Sequence, residues 1–157
     1  MDAERERPGS PARIALSDDV ALIRALFREY AGSLGVDLSF QRFDEELAAL
    51  PAGYDAVLVA HVDGEPAGCV GVRPLDSTTC EMKRLYVRPA ARGTGLGRAL
   101  ALRAIDHARA LGYERMLLDT LPTMAAARSL YRELGFVEVA PYRHNPIAGT
   151  AFMALPL

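Results

Sequence analysis

The order of apolar and polar side chains predicts a strand and two helices in the first third of the chain. Residues 13 to 16 are expected to form the strand, with Ser17 as the N-cap of a helix that runs to about Tyr30. The apolar side chains of this helix follow the α-helical period at Val20, Ile23, Leu26, Phe27 and Tyr30. After a loop at 31 to 39, the second helix closes at Pro51, and its apolar face is Phe40, Phe43, Leu47 and Leu50.

Three strands are predicted next. Residues 56 to 62 and 66 to 73 flank Asp63-Gly64, a dipeptide that readily adopts the positive φ angles of a tight hairpin turn. A third strand over 79 to 87 continues the meander. The elements after it are a helix over 95 to 111 capped by Gly112, a strand over 115 to 119, a helix over 123 to 134 capped by Gly135, and strands over 136 to 139 and 150 to 155. The predicted order is βααβββαβαββ, without an internal repeat.

The composition fits one domain, since 157 residues, half of them apolar, can form a core of their own. The first twelve residues combine alternating charges with Pro and Gly, and we expect residues 1 to 12 to be a flexible tail before a domain over 13 to 157.

Charge and cysteine content narrow the possible partners. The formal net charge of -2 provides no overall basic field, so neither nucleic acid nor a membrane is expected as a partner. No apolar run approaches the roughly 20 residues of a membrane span, and we expect a cytoplasmic protein. Cys69 and Cys80 form no C-x-x-C pair and the three histidines are scattered, so no metal site is predicted and both thiols are expected to be ordinary buried residues.

A glycine-rich turn is the main candidate for chemistry. The strand over 79 to 87 leads into Arg-Pro-Ala-Ala-Arg-Gly-Thr-Gly-Leu-Gly, within which a helix begins. A helix N-terminus presents unpaired N–H groups and partial positive charge, and glycines let a pyrophosphate approach that backbone. A purely structural turn remains an alternative. The segment lacks the Gly-Lys-Ser/Thr of a Walker A loop, and Gly93, Gly95 and Gly97 miss the G-x-G-x-x-G register.

Two motifs resemble those of the GNAT superfamily of acyl-CoA-dependent N-acetyltransferases. Arg92-x-x-Gly95-x-Gly97, preceded by Met-Lys-Arg-Leu-Tyr-Val, is similar to its Arg/Gln-x-x-Gly-x-Gly/Ala signature. The segment from Ala127 to Phe136, Ala-Arg-Ser-Leu-Tyr-Arg-Glu-Leu-Gly-Phe, resembles its second motif. The resemblance covers all but the tail and implies the GNAT α/β (α+β) fold, a mixed sheet of about seven strands flanked by four helices.

The resemblance also implies a site for acetyl-CoA, where the strand over 79 to 87 splays from the strand over 115 to 119. The backbone of Leu85, Tyr86 and Val87 would bind the pantetheine arm. The pyrophosphate would be bound by Arg92, Gly93, Thr94, Gly95, Leu96, Gly97 and Arg98. Arg88, Arg92 and Arg98 add positive charge, although any one of them can instead be a solvated surface residue. Met124 stands where many members have an asparagine, which puts one polar contact to the pantetheine in doubt.

Two residues match catalytic positions of the family. An amine attacks a thioester only when neutral, so a base is needed, and Glu81 matches the position of the base glutamate of several members. The alternative is a structural Glu81 paired with Lys83 or with a cation of a neighbouring strand. Tyr131 matches the acid that protonates the departing thiolate, and it can instead be a core tyrosine. The Val87 N–H is expected to stabilise the oxyanion.

The resulting expectation is an acetyltransferase that acts on a primary amine of a small molecule, with acetyl-CoA as co-substrate. A GNAT-fold module that binds acyl-CoA without turnover is the alternative from another class, and a homodimer is a guess from the resemblance. The acceptor is expected to contact the loops at 31 to 40 and 140 to 149. If Arg84 and Arg143 face the pocket, an acceptor with a carboxylate is favoured over a polycation.

Overall fold

The computed structural model describes residues 12–39 and 42–157. Its strands are β1 (Arg13–Leu16), β2 (Ala56–Val62), β3 (Glu65–Pro74), β4 (Thr79–Val87), β5 (Arg115–Thr120), β6 (Val137–Val139) and β7 (Ala151–Pro156). Its helices are α1 (Val20–Leu34), α2 (Phe43–Ala49), α3 (Leu96–Ala110) and α4 (Ala125–Glu133), and a 3₁₀ turn lies at Pro89–Ala91. The predicted order is confirmed. The expected tail, apart from Ala12, and the apolar position at Phe40 lie outside the described residues, so those two expectations stay predictions.

The seven strands form one mixed sheet in the order β1-β2-β3-β4-β5-β7-β6. Neighbouring strands are antiparallel except β4 and β5, which run parallel with α3 as the crossover between them. The β2–β3 turn forms as predicted, because Asp63 and Gly64 both adopt positive φ, +52° and +81°. The mixed sheet with four helices expected from the resemblance is therefore present.

The first helix differs from the prediction at both ends. Ser17 is not the N-cap, because its N–H donates to the Val57 carbonyl at 2.9 Å and keeps it in the line of β1. Asp19 caps the helix instead, and its side chain accepts a hydrogen bond from the Leu22 N–H at 3.1 Å. The helix continues past Tyr30 to Leu34 and ends at Gly35, whose φ of +66° stops the helical repeat.

The core has one apolar cluster on each face of the sheet. The cluster beneath α3 and α4 includes Leu100, Ile105, Met116 and Leu118, and the cluster beneath α1 and α2 includes Ile23, Leu26, Phe27 and Leu47. Burial of these side chains fixes β4 and β5 between two helical layers, since each large apolar side chain contributes about 1.5–3 kcal/mol when removed from water. The central strands therefore form a rigid floor for the site.

Candidate active site

The site begins where two neighbouring parallel strands separate. β4 and β5 pair only from Thr79 to Glu81 and from Arg115 to Leu117. Both strands continue beyond that point, β4 to Val87 and β5 to Thr120, without further pairing between them. The backbone edge of β4 after Glu81 therefore faces an opening rather than a neighbouring strand. This is the splay that the resemblance implies.

A β-bulge in β4 changes the direction of this edge. Cys69 of β3 pairs with Tyr86, whereas Gly71 pairs with Lys83, so Arg84 and Leu85 together oppose a single residue of β3. Arg84 has a φ of +59°, an uncommon conformation for a residue with a side chain. The bulge separates the buried, charged first half of β4 from its last three residues, which line the opening.

The Val87 N–H points toward the opening between the strands. The next residue, Arg88, donates its N–H to the Ala67 carbonyl of the β3 side at 2.8 Å. Successive backbone groups of a strand point to opposite sides, so the Val87 N–H and carbonyl point away from β3. The Val87 carbonyl accepts a hydrogen bond from Arg92 Nε at 3.1 Å, which brings the Arg92 side chain back over the end of β4.

The glycine-rich turn forms an uncapped helix N-terminus. Gly93 and Gly95 adopt φ of +78° and +84°, and a Cβ at either position would meet no atom within 4 Å. Gly95 is the N-cap residue of α3 and, as a glycine, provides no side chain to bond the first-turn N–H groups. The turn therefore combines a backbone shape that favours glycine with open space in front of free donors, as an anion site requires.

The three arginines expected near this turn have different partners. Arg88 pairs with Glu29 at 2.6 Å, and Arg98 is hydrogen-bonded to Glu133. Arg92 forms no ion pair with a carboxylate anywhere in the described part of the chain. Of the three, Arg92 is thus the cation available for an anion at the α3 N-terminus, and the charge expected from Arg88 and Arg98 is largely neutralised.

A groove of about 530 Å³ follows the open edge of β4. The predicted cofactor residues that line it are Leu85, Tyr86, Val87, Arg92 and Gly97, while Gly93, Thr94, Gly95, Leu96 and Arg98 are not in its lining. The opposite walls come from α1 (Tyr30, Ser33, Leu34) and from the start of α4 (Thr123 to Ala127 and Leu130). Sequence reasoning missed the α1 wall, because its apolar spacing indicated only core packing.

Met124 occupies the N-cap position of α4 and lines the groove. Its side chain caps no backbone N–H, so the start of α4 lacks the polar side chain that many members of the resembled family have there. Where an asparagine side chain would offer the pantetheine a polar contact, Met124 therefore presents an apolar side chain to the groove.

Glu81 lies at the point where β4 and β5 separate, and its side chain is fully buried. Arg143 pairs with both carboxylate oxygens, at 2.8 Å and 2.7 Å, and Tyr142 also donates to Oε2. Arg73 of the neighbouring β3 lies 3.8 Å away. Both oxygens of Glu81 are therefore bound by Arg143, and one of them also by Tyr142. Arg73 is a cation of a neighbouring strand, as expected if Glu81 is a structural residue.

Tyr131 is 5% exposed and packs against Phe136, with ring centroids 5.7 Å apart and ring planes inclined at 60°. Burial raises the pKa of its phenol above the ordinary value, so the hydroxyl stays protonated at neutral pH. The hydroxyl-bearing ring lines a smaller cavity of about 20 Å³ next to the groove. Tyr131 is thus both a core residue and part of a cavity wall, and the packing alone leaves both interpretations of it possible.

The smaller cavity is lined by several charged or polar side chains that the sequence did not single out together. Lys83 and Asp119 are two of them, and Asn145 comes from the loop before β7. Burial lowers the pKa of Lys83 to about 8, despite opposing attraction from Glu81. The cavity shares Tyr30, Leu34, Leu85 and Met124 with the groove, so the two spaces are adjacent.

Arg84 and Arg143 would favour an acceptor with a carboxylate if they were free to bind it. Each is instead paired with a carboxylate of the protein. Arg84 is 4% exposed and pairs with Glu46 at 2.9 Å, stacked over the rings of Tyr30 and Phe43. Burial acts to raise the pKa of Glu46, but the hydrogen bonds and the charge of Arg84, with smaller effects of Lys83 and Tyr54, together lower it. Arg143 is paired with Glu81. The condition for that preference, two cations free to bind an acceptor, is not met.

Two further searches concern the described residues only. Over 12–39 and 42–157, no group of three or more His, Cys, Asp or Glu side chains is arranged to hold a metal ion. Within the same residues, no helix has the length and apolar character needed to cross a membrane.

Known proteins are similar to this chain in sequence and in fold. The profile of the acetyltransferase (GNAT) family matches residues 21–136. An uncharacterized N-acetyltransferase of Schizosaccharomyces pombe is 41% identical over 154 residues, which cover 94% of each protein. An acetyltransferase of Streptococcus agalactiae shares the fold, with a TM-score of 0.77 at 18% identity over 95% of this chain and all of the other. YncA of Salmonella typhimurium, solved with its cofactor acetyl-CoA, is 28% identical with a TM-score of 0.68 over 94% of each chain.

The chain therefore belongs to the GNAT acetyltransferase family. It is an acyltransferase, and its cofactor is acetyl-CoA. The residues fit that cofactor, because the open edge of β4, the uncapped glycine turn and the unpaired Arg92 lie along one groove or at its end.

Proposed function

We propose that this enzyme transfers the acetyl group of acetyl-CoA to the primary amine of a small-molecule acceptor. The observation that carries the proposal is the separation of β4 from β5 after Glu81, which leaves backbone donors facing a groove that reaches Arg92 and Gly97. A small acceptor is favoured because the polar space beside the groove is a small, partly enclosed cavity lined by side chains of α1, β4, β5 and the loop before β7.

We assign the pyrophosphate of the cofactor to the turn from Arg92 to Gly97 and to Arg98, whose contribution is its backbone N–H in the first turn of α3 because its side chain pairs with Glu133. The first N–H groups of α3 are unpaired donors, and the partial positive charge of a helix N-terminus adds attraction for an anion. Arg92 adds a full charge with no carboxylate to compete for it among the described residues. The backbone of Leu85, Tyr86 and Val87 is proposed to hold the pantetheine arm, because its free groups face the groove.

Acetyl-CoA supplies the acetyl group as an activated thioester. The Val87 N–H is proposed to donate to the carbonyl oxygen of that group, since it points away from β3 into the opening. Tyr131 is proposed as the proton donor to the leaving sulfur. Its position supports this role, because its ring lines the cavity next to the groove and burial, which raises the pKa of the phenol, keeps the hydroxyl protonated.

For Glu81 we propose a positioning role rather than direct proton abstraction. A carboxylate whose two oxygens accept hydrogen bonds from Arg143 and Tyr142 has little capacity left for a substrate proton. The same contacts tie the loop before β7 to the point where β4 and β5 separate. The homodimer and the domain boundary at residue 13 remain predictions.

Binding and turnover test the proposal separately. Because a ligand that binds only the folded state stabilises it, CoA and acetyl-CoA should raise the Tm with increasing concentration. No rise in Tm at millimolar CoA would contradict the cofactor assignment. Release of free CoA from acetyl-CoA in the presence of small amines, measured with a thiol reagent, should follow. Binding without release for any amine would favour the non-catalytic acyl-CoA-binding alternative.

A further inference from the structure

Two buried polar atoms at the smaller cavity have no hydrogen-bond partner within the described residues. One is Oδ2 of Asp119, whose side chain is only 9% exposed and which lies 4.0 Å from Arg143 Nη1. The other is Nδ2 of Asn145. The Asn145 Oδ1 accepts the Ile147 N–H at 2.9 Å, which fixes the amide so that its NH₂ is the group left without a partner.

A missing acceptor and a missing donor at one cavity indicate a ligand. A buried polar group without a partner costs about 1–3 kcal/mol, so two such groups in one place are rarely tolerated unless something binds them. A space of about 20 Å³ holds about one water-sized group, so only the polar end of a ligand reaches it and the rest must extend into the adjoining groove. The ligand groups that satisfy Asp119 and Asn145 must therefore be close together in the ligand.

The chemistry of the two atoms defines those groups. A carboxylate oxygen that lacks a donor binds an ammonium group, and an amide NH₂ that lacks an acceptor binds an anionic or carbonyl oxygen. Lys83 lines the same cavity and contributes positive charge on its wall. The lining thus offers both signs of charge within a small space, which suits a ligand that carries both.

We propose that this cavity is the acceptor subsite and that the acceptor is an α-amino acid, with its ammonium group bound by Asp119 and its carboxylate by Asn145. The proposal rests on the acetyltransferase function proposed above. An α-amino acid carries its two charges on adjacent carbon atoms, so both can reach the two unpartnered side chains while the rest of the molecule extends toward the adjoining groove. A polyamine fits poorly, because it has no anionic oxygen for the Asn145 NH₂ group and its additional cations would lie near Lys83.

The position of the cavity supports an acceptor role. It shares four wall residues with the groove, and Tyr131 forms part of its lining. The bound amine must lose a proton before it attacks the thioester, and the cavity adjoins the groove in which the thioester would lie.

The test uses the proteinogenic amino acids, the amines that lack their carboxylate, and their carboxamides. For the wild-type protein, kcat/KM from thiol release should be at least about 10-fold higher for an amino acid than for the matching amine, the effect of one charge-assisted hydrogen bond. Calorimetric titration of the same compounds into the CoA-bound protein provides a readout without turnover and should give the same order of affinities.

Two variants then test the two contacts separately. Asp119→Asn should weaken amino-acid binding about 10- to 100-fold, with the Kd for CoA unchanged. Asn145→Ala should raise KM for the amino acid about 10-fold but leave KM for the carboxylate-free amine unchanged, a split that a merely structural role would not produce. Asp106→Asn is the matched control, since that carboxylate is 70% exposed on α3, and it should behave as wild type.

The proposal is overturned if the carboxylate-free amines are acetylated as well as the amino acids, or if no amino acid binds or reacts while CoA still raises the Tm. In the first case the acetyltransferase function stands and only the acceptor subsite fails. In the second case the acceptor subsite fails, and release of CoA with any other amine shows that the acetyltransferase function stands. If CoA itself does not bind, the proposed function fails instead. If Asp119→Asn does not fold, the kcat/KM values and the calorimetric titrations of the wild-type protein still test whether amino acids are preferred as acceptors.

Discussion

Arg143 and Glu81 form an ion pair at 2.7 Å that joins the loop before β7 to the centre of β4. Glu81 is fully buried and Arg143 is 24% exposed, so the pair lies where the sheet is open between β4 and β5. The contact holds the loop that carries Asn145 against the floor of the smaller cavity. The shape of the proposed acceptor subsite therefore depends on an interaction between residues far apart in sequence.

The first prediction concerns the stability of this pair. Arg143→Met leaves the buried carboxylate without its main cation and should lower the free energy of unfolding by about 2–4 kcal/mol, since breaking fully buried pairs costs about 3–5 kcal/mol. Arg132→Met is the matched control, because the Arg132–Glu138 pair is exposed and should contribute at most about 1 kcal/mol. Urea unfolding of both variants measures the difference. Equal losses would mean that Arg143 and Glu81 contribute no more than a surface pair.

The second prediction concerns the glycine turn. Gly95→Val forces a β-branched residue to a φ of +84° at the start of α3 and should weaken CoA binding at least about 10-fold, because the turn must change shape. Gly112→Val is the matched control after the other end of α3, with φ of +88° and equally open space. Both variants should lose about 1–2 kcal/mol of stability. Titration with CoA should separate them, and normal CoA affinity in Gly95→Val would contradict the pyrophosphate site.

The third prediction concerns Tyr131. Tyr131→Phe removes the hydroxyl and keeps the ring, so kcat should fall about 10²- to 10⁴-fold with the Kd for CoA nearly unchanged. Tyr54→Phe is a control at another buried tyrosine, whose hydroxyl donates to Glu46 at 3.0 Å. That variant should lose about 1 kcal/mol of stability and keep its kcat at permissive temperature. If Tyr131→Phe also keeps its kcat and only loses stability, Tyr131 is a core residue without a catalytic role.

The fourth prediction concerns pH and Lys83. Burial lowers the pKa of Lys83 to about 8 in the folded chain, whereas in the unfolded chain it has its ordinary value of 10.5. Between these values the unfolded state binds more protons at this position, so the contribution of Lys83 to the free energy of unfolding rises with pH. The thiols of Cys69 and Cys80 act in the opposite direction, because burial raises their pKa to about 12.

The Lys83 contribution is therefore measured as the difference between wild type and Lys83→Met. From pH 7.5 to 9.5, the free energy of unfolding of the wild type should rise relative to that of Lys83→Met by on the order of 2 kcal/mol. Urea unfolding at several pH values provides the comparison. A difference that stays constant with pH would mean that Lys83 keeps an ordinary pKa in the folded protein.

The sequence alone determined the order of the elements and the place of the glycine turn. Both depend on local rules: apolar spacing sets which face of a helix or strand is buried, and residues such as Gly64, Gly95 and Gly112 mark positions where positive φ is needed. The first helix shows the limit of these rules. Ser17 and Asp19 are both good N-caps, and the choice between them fell to a hydrogen bond from Ser17 to Val57 in β2.

Only the tertiary structure decided which polar side chains share the site. Glu81 meets Tyr142 and Arg143, and Asp119 meets Asn145 across one small cavity, because the loop before β7 folds back over the opening between β4 and β5. Arg88 forms an ion pair with Glu29 of α1, so its charge is not available at the pyrophosphate turn. Such pairings depend on the distance between charges brought together by packing the whole chain, and a sequence pattern with a local period carries no information about that distance.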